Sequence, residues 1–126
     1  KVKSFALDRL THLEITKKQF TFPQDFDVIE HYRYCFGIIG SNDKEPQEVI
    51  LTFNPFQGNY IKSLPLHESQ KVVIDNDSEL RIKLEIFITL DFIMELLSFG
   101  ENVKVVKPDS LINNMKAVYR KALSQY

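Results

Sequence analysis

Lys62, His67, Ser69 and Gln70 bring an ammonium, an imidazole, a hydroxyl and a carboxamide into one short stretch of the chain. Groups of this kind hold an anion or orient a polar ligand. Ser69 beside His67 suggests a nucleophile and its base, but the glycines of a nucleophile elbow do not surround it. The plainer role for His67 is to bond loop backbone. Downstream, Arg81 and Lys83 fall on one face of an alternating segment, either as a phosphate-binding pair or as an ordinary solvated strand face. Upstream, Tyr32, Arg33 and Tyr34 interleave aromatics with a cation, as base-stacking surfaces do. Packing accounts for the two tyrosines more simply.

Other chemistries find no support. The glycines stand at 37, 40, 58 and 100, so no loop can cradle a phosphate with its backbone. His12, His31 and His67 lie in separate segments and the chain has one cysteine, so no metal site is expected. Asp25 and Asp27 suit a helix start better than acid–base work. The sequence therefore predicts a binding or interaction domain with no cofactor, not an enzyme. Cys35 sits between Tyr34 and Phe36, as a small core residue does. A lone cysteine forms no disulfide within one chain, which fits a reducing cytoplasm. No apolar run is long enough to span a bilayer, and no signal peptide is present. The net charge of −1 argues globally for neither nucleic acid nor membrane, so such binding needs a local patch. The chain opens on Lys1, not Met, and reads as a fragment of a longer protein.

The elements that must position these groups follow from periodicity. Leu80, Ile82, Leu84 and Ile86 alternate with Arg81, Lys83 and Glu85, which predicts a half-buried strand. Thr89 offers an N-cap to a helix carrying Leu90, Ile93, Leu96 and Leu97, and Gly100 suits its end. Val103 to Val106 reads as a strand. Pro108 ends it and Asp109 is expected to cap a last helix striped by Leu111, Ile112, Met115 and Val118. Earlier, Gln47 to Phe53 reads as a strand broken by Asn54-Pro55, Phe56 to Leu64 as a helix and Lys71 to Ile74 as a strand. The order is strand, helix, strand, strand, helix, strand, plus a terminal helix. It predicts an α+β fold: a ferredoxin-like βαββαβ sandwich over 47–126, with helices on one face of an antiparallel sheet and the other face free. Residues 21–46 read as a linker with a helix from Asp25 to about Phe36–Gly37. Residues 1–20 read as the last strand or strands of a sheet that lies upstream.

Phe5-Ala6-Leu7-Asp8-Arg9-Leu10 resembles the segment that closes the small SH3- or Sm-like barrel of WYL domains. Phe22-Pro23-x-x-Phe26-Asp27 and Tyr34-x-Phe36-Gly37-Ile38 resemble the connector that follows it. Leu64-Pro65-Leu66-His67-x-Ser69-Gln70, Phe99-Gly100-x-x-Val103-x-Val105 and Pro108-x-x-Leu111 resemble WCX, the C-terminal extension of these proteins. The Trp-Tyr-Leu tripeptide that names the family is absent. The resemblance implies a bacterial, cytoplasmic transcription regulator that acts as a homodimer. Duplex DNA would be bound only by a helix-turn-helix upstream of this chain. The ligand sensed would be nucleotide-like, of the single-stranded DNA class. By the same resemblance Arg9 matches a barrel-closing arginine that would hold a phosphate. Lys62, His67, Arg81 and Lys83 are nominated beside it from their chemistry alone. Two other functions fit the same residues. One is a pure dimerisation module. The other is a ferredoxin-like small-metabolite sensor using His67, Ser69 and Gln70.

Overall fold

The computed structural model describes residues 3, 5–40 and 44–126. Its sheet is built on the alternation at Leu80–Ile86, which forms strand β3. Leu80, Ile82, Leu84 and Ile86 are buried, while Arg81, Lys83 and Glu85 point the other way. β1 (Gln47–Phe53) repeats the pattern, burying Val49, Leu51 and Phe53. β2 (Lys71–Asp75) and β4 (Val103–Lys107) complete four strands in the order β2-β3-β1-β4, each antiparallel to its neighbours.

Helices cover the apolar face. α2 (Pro55–Ser63) connects β1 to β2 and contributes Ile61. α3 (Leu90–Ser98) connects β3 to β4 and contributes Phe92 and Leu96. α4 (Asp109–Leu123) follows β4 and contributes Leu111 and Met115. Burying each large side chain of this core stabilises the fold by roughly 1.5–3 kcal/mol before chain entropy is counted. Gly58 allows α2 to approach β3, since a Cβ there would lie 2.8 Å from Leu80 Cβ. Asn54 starts α2: its side chain accepts the Gln57 N–H at 2.8 Å, and Pro55 follows with its φ already helical.

Several local expectations are revised. The linker helix α1 is only Val28–Tyr32, and Asp27 caps it instead of Asp25. The Asp27 carboxylate accepts from the N–H groups of Ile29 and Glu30, which fixes the first turn at that residue. The chain leaves the helix after Tyr32 because Tyr34 to Phe36 dock on the sheet. The Tyr34 carbonyl accepts the Phe87 N–H at 2.8 Å, Cys35 is buried, and the Phe36 and Phe92 rings lie 5.4 Å apart. Pro108, not Asp109, occupies the N-cap position of α4, and Asp109 is its first helical residue, well placed for the helix dipole. Gly100 takes the positive φ expected of it.

Among the described residues ahead of α1 there is no strand, only a 3-10 turn at Leu7–Arg9. Phe5, Leu7, Leu13, Ile15 and Phe20 are all exposed. A strand needs a neighbour for its backbone groups, and no described strand of this chain pairs with the segment. Among the described residues, no helix is long and apolar enough to cross a membrane.

Candidate functional site

Strand register decides which charged side chains meet on the uncovered sheet face. Partners in an antiparallel pair project to the same side. Lys71 of β2 lies opposite Lys83 of β3, and Glu48 of β1 lies opposite Glu85 of β3. Lys104 and Lys107 of β4 join the same face opposite Thr52 and Ile50. At the end of this face where the linker crosses lies a cleft of about 650 Å³. Glu48, Lys71, Lys83 and Glu85 line it along the strands, and the His67–Ser69 loop forms one rim. Arg33 and Tyr34 of the linker also line it.

Glu48 is the most constrained of these groups. Its carboxylate takes Lys107 Nζ at 2.8 Å and Lys83 Nζ at 3.3 Å. The hydrogen bond from Lys107, with that from Lys83 behind it, holds its carboxyl below the usual glutamate value. Arg33 is drawn back onto α1 by both oxygens of Glu30, at 3.0 and 3.2 Å. Its guanidinium carbon lies 6.0 Å from the Tyr34 ring centre. That ring meets Phe87 edge-on at 5.8 Å.

The His67–Ser69 pair latches its loop to β3. His67 Nδ1 accepts the Ser69 backbone N–H at 3.1 Å. A backbone N–H can only donate, so the network assigns the proton of the neutral ring to Nε2. Ser69 Oγ accepts the Glu85 N–H at 3.0 Å and shares its own hydrogen between His67 Nδ1 and the Glu85 carbonyl. The hydroxyl is thereby tied to the β3 backbone, and it fixes the rim of the cleft.

His67, Ser69 and Lys83 thus come together, whereas the other predicted site residues stand apart. Lys62 pairs with Asp75 at 3.1 Å, beside a different cleft. Gln70 braces the chain after α2, accepting from Leu66 N–H and donating to the Ile61 carbonyl. Arg81 is bound by Glu79 at 3.0 Å. Its Nε and the neighbouring Thr52 Oγ1 are buried without a hydrogen-bond partner among the described residues. Arg9 is exposed in the 3-10 turn and does not line the cleft. Tyr32 stacks edge-on against His31, so of the aromatic pair only Tyr34 reaches the site. Glu48 and Lys71 were not singled out by sequence reasoning. Strand alternation placed Glu85 with Lys83, but cross-strand register alone reveals Glu48 and Lys71 beside them. Among the described residues, no three His, Cys, Asp or Glu side chains converge on a metal-sized site.

The cleft can therefore offer cations and carboxylates at once, with one aromatic ring at its wall. No curated protein matches the chain. Residues 45–123 match the WCX domain, an interval that runs from just before β1 to the end of α4. The chain belongs to the WCX-domain family.

Proposed function

We propose that this chain is the ligand-sensing and dimerisation region of a cytoplasmic bacterial WYL-family transcription regulator, responding to a nucleotide-like ligand of the single-stranded DNA class. The WCX match supports the family context. The observation that carries the ligand is the cleft on the open sheet face that Lys71, Lys83 and Tyr34 line together. Lysines at such a site hold phosphate, and a half-exposed aromatic ring such as Tyr34 can take a base on its open face. The region performs no catalysis and needs no cofactor. Contact with duplex DNA belongs to a helix-turn-helix upstream, and membranes are not a partner. The strand order β2-β3-β1-β4, with helices bridging β1 to β2 and β3 to β4, supports reading residues 47–126 as ferredoxin-like. In this scheme residues 1–20 close a WYL barrel and residues 21–46 link the two. A ligand between Lys71 and Tyr34 touches sheet and linker together. It therefore favours linker arrangements that close on it, and only that difference in affinity can move the upstream domains.

The test is fluorescence anisotropy of a 5′-phosphorylated single-stranded DNA titrated with this chain across a salt series. Salt-sensitive binding is expected, and Lys71→Ala should flatten the dependence by about 0.7 in slope, because Lys71 is the cleft lysine not paired with Glu48. Absence of binding at low salt, or binding indifferent to Lys71→Ala, refutes the nucleic-acid ligand.

An exposed ridge on α2 favours the dimerisation half of the proposal. Phe56 is 69% exposed and Leu64, just past the helix, 79%, with Tyr60 between them. Side chains this apolar and this uncovered suit contact with another subunit. A Phe56→Ser, Leu64→Ser double variant should sediment as a monomer where the parent does not. An unchanged sedimentation coefficient excludes this ridge.

A further inference from the structure

Two cross-strand pairs in the cleft oppose like charges. Lys71 stands opposite Lys83 and Glu48 opposite Glu85. Directly opposed residues have Cβ atoms about 5 Å apart, and like charges there destabilise the sheet. Half of the conflict is relieved internally, because Glu48 is held by Lys83 and Lys107. The other half is not. Among the described residues, neither the Lys71 ammonium nor the Glu85 carboxylate has an ionic partner. Glu68 adds a further carboxylate at the rim. A ligand that satisfies this cleft must bring an anion to Lys71 and hydrogen-bond donors to Glu85.

We infer that the cleft selects nucleotides whose bases carry an exocyclic amino group, with Glu85 reading that group and Lys71 holding the phosphate. The inference rests on the nucleic-acid ligand proposed above and specifies its chemistry. An ionised carboxylate only accepts hydrogen bonds. Cytosine N4 presents a donor pair to such a group, and adenine N6 does the same. Thymine and uracil present a single N–H flanked by two carbonyl oxygens, whose lone pairs face the carboxylate unfavourably. A carboxylate beside the stacked base therefore discriminates between pyrimidines of almost equal size and stacking area. The cleft volume of about 650 Å³ falls within the range that small-ligand sites occupy.

The decisive comparison is the affinity of this chain for 5′-phosphorylated oligo-dC and oligo-dT of equal length at neutral pH, by fluorescence anisotropy. Oligo-dC should bind about tenfold more tightly, the discrimination expected of one well-placed base contact. In Glu85→Gln the ratio should fall to within about twofold, because a carboxamide offers a donor as well as an acceptor. The thermal midpoint of Glu85→Gln should not fall, since removing the charge relieves the repulsion with Glu48. Lys71→Ala should weaken both oligonucleotides alike and leave their ratio unchanged. Equal binding of oligo-dC and oligo-dT by the parent overturns base selection while leaving the nucleic-acid ligand intact. A dC preference that survives Glu85→Gln removes Glu85 as the reader. Failure of both oligonucleotides to bind overturns the ligand reading itself.

Discussion

Glu48→Gln should make the open sheet face a stronger anion binder. In the parent, one carboxylate engages two lysines, Lys107 at 2.8 Å and Lys83 at 3.3 Å. Both point to the uncovered face, and Lys83 lines the cleft. Glutamine keeps the shape and removes the charge, so each lysine becomes free to meet a phosphate. On single strands each phosphate neutralised contributes about 0.7 to the slope of log K against log salt. Each lysine released is then worth about fivefold in affinity at 0.1 M relative to 1 M salt, and two are worth about twenty-five-fold. Anisotropy titrations of a 5′-phosphorylated single strand across that range measure the slope directly. The variant should be steeper by about 0.7 to 1.4. The same pairing sets a pH dependence with a definite sign. The folded carboxyl of Glu48 titrates below its ordinary value because the two lysines favour its ionised form. Its contribution to folding is therefore complete above that ordinary value and disappears as pH falls through the lower, folded value. Anion binding by the parent should rise over the same acid window, as protonation releases the lysines, and the rise should be absent from Glu48→Gln. A slope that is unchanged or shallower in Glu48→Gln would refute the idea that this carboxylate occupies lysines meant for a ligand.

The remaining predictions concern what holds the cleft in place. Leu84→Ala empties a fully buried position in the central strand and should lower the stability measured by urea unfolding by about 2–5 kcal/mol. Gly58→Ala should lower it by about 1–3 kcal/mol, because the new methyl meets Leu80 Cβ at 2.8 Å and α2 must lift from β3. Asn54→Ala should cost about 1 kcal/mol by the same assay, through loss of the cap on Gln57 N–H and of the 2.6 Å bond to Asn102. Lys62→Ala, which breaks only an exposed pair with Asp75, should leave oligonucleotide affinity within about twofold in the anisotropy titration.

Local periodicity carried most of the fold. Strand β3 was legible because a polar–apolar alternation leaves one way to bury Leu80, Ile82, Leu84 and Ile86 together. The break at Asn54-Pro55 and the glycine at position 100 punctuated the elements where their backbone demands arise. The linker helix was misread because its end is set by tertiary contacts, Tyr34 with Phe87 and Phe36 with Phe92, that no local pattern encodes. The candidate site was legible only in part for a related reason. Lys62, His67, Ser69 and Gln70 are neighbours in sequence, yet Lys62 turns to Asp75 while Gln70 turns inward to the Ile61 carbonyl. Conversely, Glu48 and Lys71 belong to different strands and meet Lys83 only through the register of β3 with both neighbours.

The same register changes what the overall charge means. A net charge of −1 gives no reason to expect an anionic ligand, because it averages over both sides of the sheet. The strands sort the charges. Lys71, Arg81, Lys83, Lys104 and Lys107 project to the uncovered face, and of the carboxylates on these strands Glu48 and Glu85 accompany them. Asp91 and Glu95 sit on α3, across the sheet's apolar core from that face. At physiological salt, screening acts over about 8 Å, shorter than the roughly 10 Å between packed layers, so a ligand on the open face feels mainly the local cations. Within that face the carboxylates are not a general brake on binding. Glu48 regulates how many lysines are available, and Glu85 is left to demand a donor. The face can thus attract phosphate through its cations and still discriminate among the bases attached to it.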